Sequence, residues 1–231
     1  MLQKRVAFPY VDITDLLAIL QRDGLMLMSD SSLPSLVALV AGGPIGGSWW
    51  GHPRGGEIYH LANQLVDQPD VLLVKLVSTK KTFVHRRLWP AVVAVGQARE
   101  RWQLDGLTEA PLALLAALDD AGCLAWDEVL PVLPPNAGRP TESVNALETR
   151  LLIHTSEVHT PSGAHARNLE TWSTLVGRVG IDAPLPEVAE ARRQLERTLA
   201  ELAGGRVMTA RLPWLSHSRS QPVRRRQWPP A

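Results

Sequence analysis

Val71-Leu72-Leu73-Val74-Lys75-Leu76-Val77-Ser78-Thr79-Lys80-Lys81-Thr82-Phe83-Val84-His85-Arg86 is the stretch on which the fold turns. Seven residues, apolar except for Lys75, run into the polar Ser78-Thr79-Lys80-Lys81, and Thr82 to Arg86 then alternates. An apolar run, a short polar break and a second run of period two read as a β-hairpin with a basic tip. Working outward, Ile13 to Asp23 has a helical pattern, with Ile13, Leu16, Leu17, Ile19 and Leu20 on one side and Gly24 as its stop. Leu25 to Met28 is a short strand-like run. Ser31-Ser32-Leu33-Pro34 precedes a short helix from Ser35 to Ala41, closed by Gly42-Gly43. Gly56 to Asp67 places Ile58, Leu61, Ala62 and Leu65 at spacings of three and four, and Asp67-Gln68-Pro69-Asp70 ends it. Helix, helix and basic hairpin is the order of a winged helix, in which one helix lies in a groove while the wing touches the backbone.

A similar order follows downstream. Ala110 to Ala121 reads as a helix stopped at Gly122, Trp126 to Leu130 as a short helical turn, and Val132 to Pro140 as a Pro-rich loop. A helix opening at Thr141 carries Val144, Leu147 and Leu151, and Leu151 to His159 reads as a strand or tight hairpin. Thr160-Pro161 forms an N-cap and N1 pair that predicts a helix running through Trp172 and Leu175. Pro184-Leu185-Pro186 breaks the chain before a last helix, Glu187 to Leu202. The expected fold is helix-rich α+β, with tandem winged-helix-like units, short β-hairpins and a C-terminal helix. Residues 1–105 hold the N-terminal helices and the first unit, and 106–205 the second unit with the C-terminal helix. Residues 206–231, with six arginines, no acid and many prolines, form a basic tail expected to be disordered or extended.

At 231 residues and 45% hydrophobic, the chain is long enough to bury a sizeable core. A formal charge of +1 offers no bulk argument for a polyanionic partner, yet the charge is segregated. Residues 75–101 carry +6 and residues 102–148 carry −7. A basic block beside an acidic one suits a chain with one face on a polyanion and the other in solvent; an ordinary solvated surface gives the same pattern. One cysteine, Cys123, excludes a disulfide framework and a cysteine-rich zinc module and suits a reducing compartment, with the cytoplasm as the expected location. Its setting, Ala121-Gly122-Cys123-Leu124-Ala125, reads as that of a buried small hydrophobe. Asp12 and Asp15 interrupt the first apolar stretch, so a signal peptide reads poorly, and the apolar runs fall short of a membrane span. Eight of the twelve aromatic residues are Trp, and Trp89, Trp102, Trp126 and Trp172 sit in amphipathic contexts that suit a core.

Gly46-Gly47-Ser48-Trp49-Trp50-Gly51-His52-Pro53-Arg54-Gly55-Gly56 is the most unusual string. Adjacent Trp residues pointing in different directions let one pack inward while the other stacks on a base or partner. Glycines let the backbone approach a ligand, although the spacing fits neither a Walker A nor a dinucleotide fingerprint. A Trp pair that simply closes a loop is the alternative. Ser48-Trp49-Trp50, a short helix, an apolar strand and Lys80-Lys81-Thr82-Phe83-Val84-His85-Arg86-Arg87-Leu88-Trp89-Pro90 together resemble the winged-helix segment of bacterial interstrand-crosslink DNA glycosylases, over residues 46–95. That resemblance implies tandem winged helices, duplex DNA as partner, and a Gln-x-Gln or Gln-x-Asp triplet that positions the attacking water. Gln21-Arg22-Asp23 matches the second form. Under the resemblance Asp23 would orient or deprotonate the water and Gln21 would hold it; the same residues also read as the polar end of a helix. The expected DNA contacts are Lys75, Lys80, Lys81, His85, Arg86 and Arg87 on the wing, with Trp49, Trp50, His52 and Arg54 at the entrance to the groove helix.

A second concentration of chemistry is His154-Thr155-Ser156-Glu157-Val158-His159-Thr160-Pro161-Ser162-Gly163-Ala164-His165. In a strand Glu157 and His159 share a face, with His165 placed in the first turn of the following helix. Glu157, His159 and His165 mark a candidate pocket: three imidazoles and a carboxylate could hold a divalent metal. An anion contact by Thr160, Ser162, the helix N-terminus and His165 or Arg167 is a second reading, and a helix cap with locally bonded histidines is a third. The spacing fits no zinc signature, so neither a metal nor a cofactor is expected. Two other function classes remain: a protein-interaction module whose wing is merely solvated, and a small hydrolase or metal enzyme centred on His52, Glu157, His159 and His165.

Overall fold

The computed structural model describes residues 11–159, 165–205 and 210–217. The chain opens with α1 (Ile13–Asp23), whose first turn is closed by a reciprocal capping box between Asp12 and Asp15. After β1 (Leu25–Leu27), the Ser35 hydroxyl accepts the Ala38 N–H and starts α2 (Leu36–Ala41). Next come α3 (Gly55–Val66), β2 (Val71–Val77) and β3 (Lys80–His85). The strands form one antiparallel sheet in the order β1-β3-β2, with Leu72 opposite Val84 and Leu25 on the other side of Val84.

The expected hairpin is present, and the sheet explains why its first strand is almost continuously apolar. One face, including Met26, Val71 and Phe83, packs on α1 to α3. The opposite face, with Leu25, Leu27, Leu72, Val74, Leu76 and Val84, packs on α4 (Trp89–Gln97). A sheet covered on both faces cannot use polar alternation. Helix α4 is itself buried nearly all round: Trp89 and every residue from Ala91 to Gly96 is buried. The Trp89 Nε1–H donates to the Val84 carbonyl at 3.0 Å, tying helix to sheet.

The turn between β2 and β3 is Ser78-Thr79, with φ of 51° and 59°. A two-residue hairpin turn with positive φ at both positions matches the twist of the strands. For a β-branched Thr that conformation is strained. Strain is held by a partner far along the chain: Ser78 N–H donates to the Arg211 carbonyl at 2.7 Å, and Arg211 N–H donates to Ser78 Oγ at 3.1 Å.

A short α5 (Arg101–Leu104) leads into a second unit with the same element order. It runs α6 (Glu109–Ala121), β4 (Cys123–Ala125), α7 (Trp126–Val132), α8 (Pro140–Glu148), β5 (His154–His159) and β6 (His165–Glu170), with strand order β4-β6-β5. Helix, strand, helix, helix, strand, strand therefore occurs twice, with the last strand central each time. The fold is helix-rich α+β, with the two winged-helix-like units in tandem that the sequence predicts. Leu114, Leu118, Val144, Leu147, Ile153 and Leu169 fill the second unit's core. Helices α9 (Trp172–Val179) and α10 (Val188–Ala203) return to pack on α4, and α11 (Pro213–His217) follows. Among the described residues no helix is long and apolar enough to cross a membrane.

Three expectations are corrected. Residues 165–170 are a strand, not part of a helix begun at Thr160: His165–Glu170 pairs with β4 and β5 on its two sides, and Thr171 takes the cap, its Oγ1 accepting the Thr174 N–H. Thr160 to Ala164 lie outside the described residues. Cys123 is exposed, because it lies in an edge strand. The segment taken for the start of a disordered tail packs onto the protein at residues 210–217: Leu212 is fully buried, and the buried Trp214 donates from Nε1 to Glu196 at 2.7 Å. Residues 218–231 lie outside the described set.

Two glycines give opposite expectations. A Cβ on Gly96 of α4 would lie 2.3 Å from Trp172 Nε1, and that indole is buried and fixed by donation to the Leu151 carbonyl at 2.7 Å. Gly177, inside α9, has open space where a Cβ would go. Urea unfolding should show Gly96→Ala destabilised by about 2 kcal/mol or more, as overpacking a fixed core does. It should show Gly177→Ala stabilised by about 0.5–1 kcal/mol, the helix-interior preference for Ala over Gly.

Candidate nucleic-acid interface

Helix α3 is the helix directly before the β2–β3 hairpin of the first unit, and the glycine-tryptophan string builds the approach to its first turn. A 3-10 turn, Trp49–Gly51, lies against the first turn of α3. The approach is close enough that a Cβ on Gly55 would be 3.0 Å from the Trp50 carbonyl oxygen. The two indoles stack on each other, with centroids 4.2 Å apart, instead of diverging. Trp49 packs against the core of α1 to α3, while Trp50 is 64% exposed. Tyr59, one turn into α3, continues the surface at 5.5 Å from Trp50. Gly56, Tyr59 and His60 are exposed and Asn63 half-buried. Their spacing places them on one helical stripe, and none is acidic.

Arg54 is not available at this entrance. Its guanidinium forms two hydrogen bonds of 2.6 Å with Glu57 and a third with the Val40 carbonyl, joining the end of α2 to the start of α3. That guanidinium holds the Glu57 carboxyl below the usual carboxylate range, despite partial burial. His52 caps the turn, its Nδ1 accepting the Arg54 N–H at 3.2 Å.

Most of the wing cations are also engaged within the molecule. Lys75 reaches across to α8, bonding Glu148 at 2.7 Å and Asn145 Oδ1 at 2.6 Å. Lys80 pairs with Asp30 at 2.7 Å, and the bonds from Lys80 and from two backbone N–H groups keep that carboxyl low against its burial. Arg86 faces Asp70 at 3.5 Å and lies over the Trp89 ring. Arg87 donates to the Arg22 carbonyl at 3.0 Å. His85 Nδ1 accepts the Arg87 N–H, and burial pushes its pKa down. Lys81 is exposed in β3. The +6 block is thus largely compensated by partners from other elements.

Gln21 is exposed near the end of α1, and Asp23 is held by its neighbour Arg22 through bonds of 2.6 and 2.9 Å. In the second unit the register sets Glu157 opposite Arg167 and His159 opposite His165. The side chains of Glu157, His159 and His165 lie outside the described set, and His165 is in a strand, not in a helical first turn. Among the described residues no three His, Cys, Asp or Glu side chains gather as a metal site.

A tightly bonded and deeply buried charge cluster escaped the sequence. Glu170, 4% exposed at its side chain, accepts from Arg178 Nη2 at 2.6 Å and Nε at 3.1 Å and lies 2.9 Å from His154 Nδ1. Burial works to raise its carboxyl, but the bonds from His154 and Arg178 outweigh it and hold the group below its usual value. Pairing β5 with β6 sets His154 opposite Glu170, and sixteen residues of separation conceal that contact. The stripe of Tyr59, His60 and Asn63 was also overlooked, although helical spacing alone would have found it.

The chain matches no family model, no curated protein and no solved structure.

The Glu170 cluster sets an acid dependence. A carboxyl held below its unfolded value stabilises the fold above the usual carboxylate range, and that contribution is lost as pH falls through it. Glu170→Gln should lower stability at pH 7 by about 1–3 kcal/mol and flatten the decline of stability below pH ~5. Urea titrations at stepped pH measure both effects.

Proposed function

We propose that the chain binds duplex DNA through its first winged-helix unit, with α3 as the groove helix and Trp50 and Tyr59 flanking it as an aromatic platform. The observation that carries this reading is the asymmetry between two helices in equivalent positions. Helix α3 presents a stripe of exposed Gly56, Tyr59 and His60 with the half-buried Asn63, and Arg54 occupies its only first-turn acid, Glu57. Its counterpart α8 carries Glu142 and Glu148 and is bonded to β2 through Lys75. A helix that offers donors, acceptors and an aromatic edge without unpaired carboxylates suits the major groove, where an Asn makes paired bonds to adenine.

The wing contributes less in this reading than its composition implies. Lys75, Lys80 and Arg86 already have carboxylate partners, so few phosphates are neutralised. Exposed pairs such as Arg86–Asp70 are weak and open to competition by a phosphate. Base excision draws no support from Gln21 and Asp23, since one is a surface side chain and the other is occupied by Arg22. We therefore favour binding without hydrolysis, and a labelled duplex incubated with the protein should acquire no alkali-labile sites. The protein-interaction and metal-enzyme readings have no comparable observation in their favour.

Fluorescence anisotropy with a labelled duplex tests the proposal. Asn63→Ala should cost about 1–3 kcal/mol and relax preference at one base pair. Trp50→Ala should weaken binding without altering that preference. Affinity should fall roughly tenfold between 50 and 200 mM salt, as for about two neutralised phosphates, and not the 10³-fold or more of six. Unchanged affinity in both variants would remove α3 from the interface.

A further inference from the structure

A cleft of about 340 Å³ lies where three distant parts of the chain meet. The Ser78-Thr79 turn, the end of α8 with Thr149 and Arg150, and Arg211 and Ser216 of the C-terminal segment line it. No lining residue is acidic. Two arginines therefore face one concavity, and neither has an ion pair among the described residues, in contrast to Arg54, Arg178 and Arg192.

The donors are prearranged. Arg150 is fixed by Nη1, which donates to the carbonyls of Trp102, Gln103 and Asp105 at 3.3, 3.1 and 2.7 Å. The rest of its guanidinium has no hydrogen-bond partner among the described residues, and burial disfavours its charge, so a bound anion would offset that cost. Arg211 is anchored by its backbone bonds to Ser78, with its side chain uncommitted among the described residues. Ser78 Oγ accepts the Arg211 N–H and so keeps its own hydrogen for a ligand. Thr79 and Thr149 spend theirs on the Ser78 and Asn145 carbonyls. What remains among the described residues is the guanidinium of Arg211, the unbonded Nε and Nη2 of Arg150 and the hydroxyls of Ser78 and Ser216, contributed by three segments that line the cleft. Arginine guanidinium groups bind phosphate oxygens in pairs, and donors contributed by three segments suit the several oxygens of a tetrahedral oxyanion.

We propose that this cleft binds the phosphate group of a small phosphorylated ligand. Its volume is that of a small-molecule site, whereas a polynucleotide backbone follows an extended groove. It shares no lining residue with α3, so the proposal stands apart from DNA binding.

Pyrophosphate is the probe. Thermal melting and calorimetry, with ionic strength balanced by sodium chloride, should show a pyrophosphate-dependent rise in melting temperature and saturable binding. Arg211→Ala should weaken binding at least about tenfold, with its melting temperature unchanged in the absence of pyrophosphate. Ser216→Ala should weaken it less. Duplex affinity should be unchanged in Arg211→Ala. The proposal is overturned if pyrophosphate gives no rise beyond the chloride control, if the rise persists in Arg211→Ala, or if that variant loses duplex affinity to the same degree.

Discussion

The Trp172 indole lying against Gly96 is the contact on which the assembly of the two units depends. Helix α4 can be buried on every side only because one position on it has no side chain. The indole fills that space, and its N–H satisfies the Leu151 carbonyl beyond it. One residue from α9 thereby touches the central helix and the segment between α8 and β5. Gln103 completes the joint from within: fully buried, it accepts the Glu100 N–H and donates to the carbonyls of Gly96 and Arg150. A polar side chain at such depth is tolerable because its amide is bonded.

Around that joint the same fold is used in two ways. The first sheet is sandwiched between α1 to α3 and the central helices, while the second sheet supports a separate core. Lys75, in the first strand of the hairpin, is drawn to α8, the second unit's counterpart of α3. This bridge couples the units through a wing strand and leaves α3 with a free stripe. Duplication of the element order need not duplicate a free surface, since one copy is occupied in holding the other.

Much of this architecture was legible in the sequence. The apolar run from Val71 to Val77 and the glycine stops after α1, α2 and α6 mark local events, and local signals place elements well. The failures share a cause. Thr160-Pro161 is a good start signal for a helix, but the downstream residues are claimed by two neighbouring strands, which no local pattern reveals. The wing cations read as a polyanion surface because their partners Asp30 and Glu148 lie fifty and seventy-three positions away. In the candidate site, the exposure of Trp50 was foreseeable from the glycine-rich string, whereas the capture of Arg54 by Glu57 and Val40 depends on where α2 ends.

The clamp on the wing tip has a consequence in time. Ser78 and Arg211 are 133 residues apart, so at ordinary rates of synthesis the hairpin is made roughly 7–27 s before its partner. During that interval the strained Ser78-Thr79 turn must be maintained by its strands alone. The first unit has to hold its register as an independent body, with its apolar lower face awaiting α10 and the C-terminal segment. Helix α4, made directly after the hairpin, covers part of the face of Leu72, Val74 and Leu76 early, and what α10 and Leu212 later cover is the part a nascent chain leaves open to chaperones and to self-association.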